Sequence, residues 1–267
     1  KFSLPKIKGF EFRDEMMDGF HVIVGKKTGT KPDRAVVYFP GGGSRRWQLP
    51  YRGSIRNYIE GTGAELWIPL YPLLPDYDLM DETEFTIRLH EKMLKRFPAE
   101  NIVWLGISGG ADVLMQAGRH MVKKYPELPM PGLMLPVSVS GLLMSEDAKT
   151  RMRGIDSRDP ILHWDMFETM VKYYNPNGDL PQYILGKADE DDYTGFPKII
   201  MYFGGDEVFA GIAPDYEKSF IRCGVKDYEI KIKEGMPHAY PVFTFLKEGR
   251  EGEREIIADI NRYFESR

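Results

Sequence analysis

Cysteine is nearly absent. Cys223 is the only one in 267 residues, so no intrachain disulfide can form, and a reducing, cytoplasmic setting is the expectation. A long apolar run is missing too. The longest, around Gly132 to Met144, is broken by Pro136 and Ser138 and falls short of the roughly 20 residues a membrane-spanning helix needs. The first residues carry no secretory leader pattern, but the chain starts at Lys1 rather than methionine, so processing stays open. Neither charge sign dominates: the formal net charge is -4, and the basic residues are scattered, which leaves no footprint for nucleic acid. Metal-ligand patterns are lacking, with no His-Glu-x-x-His, no cysteine pair and no tight group of histidines. No glycine-rich loop is followed by Lys-Ser/Thr, and no dinucleotide fingerprint occurs. No cofactor and no metal are therefore expected.

What is present is ordinary globular composition, 42% hydrophobic and 28% charged, with short apolar runs alternating with helical patterns. Strands are predicted at Phe20–Gly25, Arg34–Phe39, Ala64–Leu70, Asn101–Ile107, Leu133–Val139, Lys198–Phe203 and Tyr228–Lys233. Runs such as Ala35-Val36-Val37-Tyr38-Phe39 are apolar throughout, as a strand covered on both faces requires. Phe85, Leu89, Met93 and Phe97 recur at four-residue spacing and predict a helix over Glu82–Phe97, stopped by Pro98. Further helices are predicted at Gly109–Tyr125, Ala213–Cys223 and Gly252–Phe264. The stretch from Leu142 to Thr194 breaks this rhythm: it holds short helices around Pro160–Tyr173, shows no clear strand, and is expected to cover a pocket. Residues 1–267 thus read as one mostly parallel α/β domain with a cap-like excursion at about 142–194.

The chemistry-bearing residues fall where strands end. Gly106-Ile107-Ser108-Gly109-Gly110 sits between a predicted buried strand and a helix. A G-x-S-x-G turn there exposes the serine hydroxyl, and its small flanking residues avoid collision across a tight bend. The helix after it aims N–H groups at developing negative charge. Upstream, strand Arg34–Phe39 runs into Pro40-Gly41-Gly42-Gly43-Ser44, whose bare backbone can present amides to a ligand. Gly42, Gly43 and Gly109 are the expected oxyanion donors. A serine nucleophile needs a base and an orienting acid. Gly204-Gly205-Asp206-Glu207 and Gly235-Met236-Pro237-His238 follow late strands on the same sheet edge. The expected set is Ser108, Asp206 and His238, with Glu207 and Asp215 as competing acids. His21, His90, His120 and His163 lie on other elements. Trp47, after Arg45-Arg46, is either a residue of the pocket mouth or an ordinary half-buried aromatic.

These motifs resemble the hormone-sensitive-lipase-like esterases of the α/β-hydrolase superfamily. The similarity runs from about Arg34 to the C-terminus. It includes Pro40–Gly43, Ile68-Pro69-Leu70-Tyr71-Pro72-Leu73, the elbow at Ser108, Asp159-Pro160, Gly205-Asp206-Glu207-Val208 and Gly235-Met236-Pro237-His238-Ala239. The resemblance implies the α/β-hydrolase fold and hydrolysis of small-molecule carboxylic esters with short to medium acyl chains, without a cofactor. A peptidase or acyltransferase using the same triad, and a non-catalytic binder on the same fold, are the alternatives. The oligomeric state is not legible. Three departures stand out: Pro40 replaces a histidine before the glycines, Ile107-Ser108-Gly109 replaces Asp-Ser-Ala, and only about a dozen and a half residues precede the early strands, so any cap there must be small.

Overall fold

The computed structural model describes residues 2–267, apart from the side chain of Glu168. The chain opens with β1 (Phe10–Asp14), β2 (Val22–Lys27) and β3 (Ala35–Phe39), followed by α1 (Arg52–Thr62), β4 (Glu65–Pro69) and α2 (Leu79–Leu94). Next come β5 (Ile102–Ile107), α3 (Gly109–Lys124) and β6 (Leu133–Val137). The helices α4 (Glu146–Ile155), α5 (Met166–Tyr174) and the single turn α6 (Gln182–Leu185) precede β7 (Lys198–Gly204), α7 (Ala213–Arg222), β8 (Tyr228–Lys233) and α8 (Lys247–Glu265). The strands form one eight-stranded sheet in the order β1-β2-β4-β3-β5-β6-β7-β8. From β4 to β8 the pairing is parallel, while β2 joins β4, and β1 joins β2, antiparallel.

All seven expected strands are present, with ends shifted by a few residues. Because strand side chains alternate, each buried strand feeds two cores. Val37 and Phe39 of β3 face the core that Phe85 of α2, Leu114 of α3 and, at its far end, Phe220 of α7 also enter. Val36 and Tyr38 point the other way, to Ile55 and Ile59 of α1 and Ile256 and Ile260 of α8. The region ahead of the early strands is no cap: part of it forms β1 at the sheet edge.

Helix boundaries differ from the sequence reading for local reasons. α2 starts at Leu79 because Asp78 and Asp81 form a capping box, each side chain accepting the other's backbone N–H. α1 was not anticipated, since Gly53 and Gly61 interrupt its composition. Its signal is nonetheless there, in buried Ile55, Tyr58, Ile59 and Thr62 at helical spacing and in Gly63 as a left-handed C-cap. α8 begins at Lys247, ahead of the expected Gly252. Its two glycines do not break it; a Cβ on Gly249 would come within 2.2 Å of the Phe243 carbonyl oxygen, so glycine permits the close approach.

The strand order reverses direction between β3 and β5, because β4 lies to one side of β3 and β5 to the other. Outside the carboxyl ends of such strands a crevice opens, the usual ligand site of open parallel sheets. Pro40–Ser44 leaves β3 there, and Ser108 leaves β5. Among the described residues no helix is long and apolar enough to cross a membrane.

The elbow's packing gives a stability test. A Cβ on Gly110 would lie 2.2 Å from the Phe39 carbonyl oxygen, whereas one on Gly154 in α4 would meet nothing within 4 Å. Gly110→Ala should lower stability by about 1–3 kcal/mol, and Gly154→Ala should raise it by about 0.5–1 kcal/mol. Urea unfolding of both variants checks this; a Gly110→Ala protein as stable as wild type would contradict the packing described.

Candidate active site

Ser108 is held at φ 54° and ψ -124°, a strained conformation that lifts its side chain out of the sheet. The strain is kept in place by contact on both sides. A Cβ on Gly106 would fall 2.4 Å from the Gly110 carbonyl oxygen, and one on Gly109 would fall 2.7 Å from the Gly43 amide nitrogen. The glycine at position 109, one of the departures noted above, lets the loop after β3 close directly on the elbow.

His238 bridges two partners. Its Nε2 lies 2.8 Å from Ser108 Oγ and its Nδ1 lies 2.7 Å from Glu207 Oε2. The acid beside the histidine is therefore Glu207, not Asp206. The turn after β7 explains the difference. Gly205 N–H donates to the Lys233 carbonyl, Asp206 N–H to the Met236 carbonyl and Glu207 N–H to the Gly204 carbonyl. That curl leaves Asp206 on the outside, 2.9 Å from Arg158 and part-exposed, and turns the next residue inward. Asp215, the other competitor, pairs with Arg151 and Ser145.

Glu207 is fully buried. Burial pushes its carboxyl above the ordinary range, while His238, Ser138 and the Gly204 amide pull the other way. Ser138 Oγ and Gly204 N–H both donate to Oε1, leaving Oε2 for the imidazole. Ser138 Oγ in turn accepts from the Ala239 N–H, so one hydroxyl ties the acid to the histidine loop. Asp159, at the start of Asp159-Pro160, accepts from the N–H groups of Ile161, Leu162 and Val208, and so holds the chain just beyond Glu207. The signal that could have found Glu207 is weak: a turn of this shape alternates sides, and its register is set by the strand next door.

The other histidines lie apart from Ser108. His21 pairs with Asp14 and His120 with Glu84, while His163 is mostly exposed beside Asp156. His90 packs edge-on against Trp104, and burial lowers it to about 4.

Gly42 and Gly43 have φ values of 126° and 60°. Among the described residues, the N–H groups of Gly42, Gly43 and Gly109 meet no acceptor in the protein, and all three line the cavity above Ser108. The loop carrying them is braced from below. Tyr71 Oη donates to the Pro40 carbonyl, Tyr174 Oη of α5 donates to the Gly43 carbonyl at 2.6 Å, and Ser44 Oγ donates to buried Glu82 at 2.9 Å. Trp47 belongs to this brace and does not line the cavity; its indole N–H donates to the Tyr71 carbonyl. Ile107 joins the apolar core on the α8 side of the sheet.

The cavity measures about 1090 Å³. Ser108 and His238 open into it, the stretch from Leu142 to Leu185 supplies much of its wall (Leu142, Phe167, Met170 and Tyr174 among others), and Arg45 and Arg46 stand on its rim.

A family model described as the alpha/beta hydrolase fold matches residues 36–242. The chain belongs to the α/β-hydrolase fold family. An esterase/lipase from an uncultured bacterium superposes with a TM-score of 0.82 at 18% identity, covering 98% of this chain and 87% of that one. An esterase from the bacterial hormone-sensitive lipase family gives 0.80 at 18% identity, with 97% and 86% covered. The hormone-sensitive-lipase homologue EstE7 from a metagenome library gives 0.79 at 20%, with 97% and 88% covered. No curated protein matches the chain. The fold read from the motifs is thus the fold found, and the resemblance to hormone-sensitive-lipase-like proteins holds at that level.

Glu82 beneath the glycine loop yields a pH test. Burial, with no opposing cation, raises its carboxyl well above the usual value. In the unfolded chain the group ionises above about pH 4.3. Raised in the fold, it binds more protons there than in the unfolded chain, so its contribution falls as pH rises above that value. Glu82→Gln keeps an acceptor for Ser44 and removes that dependence. Between about pH 5 and about pH 8 the wild type should lose ~1 kcal/mol or more beyond what the variant loses. Equal losses in urea unfolding would show that Glu82 is ionised in the fold.

Proposed function

We propose that this protein is a serine carboxylesterase acting on small-molecule esters with short to medium acyl chains, working as one α/β-hydrolase unit with residues 142–194 as its cover. The observation that carries this reading is His238 standing between Ser108 Oγ and Glu207 Oε2 at hydrogen-bond distance on both sides.

The steps follow from that arrangement. His238 Nε2 accepts the Ser108 proton as Oγ attacks the ester carbonyl carbon. Glu207, accepting from Nδ1–H, fixes the tautomer and stabilises the imidazolium. The carbonyl oxygen becomes an oxyanion facing the amides of Gly42, Gly43 and Gly109, where one such donor is typically worth about 10²–10³-fold in turnover. The tetrahedral species collapses, the C–O bond to the alcohol breaks, and His238 gives the departing oxygen its proton. Water, deprotonated by His238, then attacks the acyl-enzyme. The carboxylic acid leaves and Ser108 regains its proton. Glutamate in place of aspartate needs no change of chemistry, because a carboxylate oxygen reaches Nδ1 in either case.

Ser108→Ala should reduce p-nitrophenyl acetate hydrolysis by about 10⁴-fold or more. Glu207→Gln should cost about 10²–10⁴-fold in kcat, whereas Asp206→Asn should change it by less than about threefold. Reversal of the last two would return the acid's role to Asp206. Faster turnover of matched amides than of esters would sink the esterase assignment.

A further inference from the structure

Ser108 immediately precedes α3, and Asp112 and Gln116 follow on it at four-residue spacing, so those two lie on one face of the helix. All three border the cavity, with Asp112 one turn beyond the nucleophile and Gln116 two. Asp112 is part-exposed and lines this cavity, and burial pushes its carboxyl up to about 6. Its two oxygens accept from the Ser140 N–H and Oγ, each at 2.8 Å. A carboxylate offers about four lone-pair directions, so half its accepting capacity is unused. Gln116 is only 2% exposed, and its Oε1 has no hydrogen-bond partner. An unpaired buried acceptor destabilises the fold, and its surroundings do not offset that.

The neighbourhood explains why these groups lack partners. Leu79, Met115, Leu142 and Leu185 make the adjoining walls apolar. Arg119 meets Asp191 at 3.2 Å and the Tyr183 carbonyl at 2.6 Å, both through Nε, on the side of the helix beyond Gln116. The Asp112 carboxylate is the acceptor with unused capacity on the cavity wall, and what it complements is a hydrogen-bond donor.

We propose that Asp112 and Gln116 form a polar acyl subsite selecting esters whose acyl chain carries a hydroxyl or ammonium group a few bonds from the carbonyl. This rests on the esterase reading. The leaving alcohol must stay within reach of His238 Nε2, so the acyl chain is the part free to follow the α3 stripe. Asp112 stands one turn of α3 beyond Ser108 on the cavity wall, so the probe substituent is placed two bonds past the carbonyl, on the third acyl carbon.

The test compares kcat/KM for methyl 3-hydroxybutanoate, methyl 3-aminobutanoate and methyl butanoate. At least one substituted ester should lead the plain one by about tenfold or more. Which one leads separates hydroxyl from ammonium recognition. Gln116→Leu and Asp112→Asn should each shrink that ratio at least about threefold, and Gln116→Leu, which removes a buried unpaired amide, should not lower the unfolding midpoint. Ratios at or below one in wild type, or unchanged in both variants, would overturn the subsite. So would a preference for 2-hydroxyethyl acetate over propyl acetate with none on the acyl side. Ser108-dependent turnover of p-nitrophenyl acetate is read separately and reports the esterase reading. If that turnover is absent, calorimetry of 3-hydroxybutanoate, 3-aminobutanoate and butanoate with Ser108→Ala protein still tests the subsite: equal affinity for all three rejects it.

Discussion

The turn after β5 and the loop after β3 touch where neither has a side chain. Gly110 lies against the Phe39 carbonyl, and Gly109 lies against the Gly43 amide, at separations no Cβ could occupy. This backbone-to-backbone contact holds Ser108 in its strained conformation and brings the free amides of the glycine loop over the same cavity. It forms at the switch point of the sheet, where β3 and β5 are neighbours although a strand and two helices separate them in sequence. A side chain at either glycine would pry the loop from the elbow, and serine and amides would no longer face one space.

Around this contact the protein places carboxyl groups where burial disfavours their charge. Glu207, Glu82 and Asp112 are each pushed upward by desolvation, and each has a different answer to it. Glu207 gathers the imidazole, a hydroxyl and an amide. Glu82 has a single hydroxyl, from Ser44, under the glycine loop. Asp112 has Ser140 and the cavity. Such groups cost stability and are tolerated where they position something. Segment 142–194 is tied to the same residues, since Tyr174 reaches from α5 to the Gly43 carbonyl and Asp159 fixes the backbone after Glu207. Movement of that segment would therefore be felt at the glycine loop and at Glu207.

The residues whose environment is set within a few positions were legible. The apolar runs of β3 and β5 announce strands buried on both faces, and the Gly-x-Ser-x-Gly turn and Pro237-His238 declare themselves by following strands. The misreadings share one cause. β1 is held by pairing with β2 and by Phe10 and Phe12 against the α8-side core, and α1 and α8 contain glycines that the pattern alone reads as breaks. In each, a contact distant in sequence outweighs local propensity.

The sequence by itself determined seven of the eight strands, the Gly-x-Ser-x-Gly turn and the glycine loop, and it marked Ser108 and His238 as the expected nucleophile and base, because periodicity and turn chemistry are local. Only the tertiary structure decided that Glu207 and not Asp206 meets His238. The two are adjacent, and which one faces inward depends on hydrogen bonds from the turn to Lys233 and Met236 on the neighbouring strand and loop. It alone also showed Asp112 and Gln116 in one cavity with unused acceptors, since a helix face acquires meaning only once it is known what packs against it.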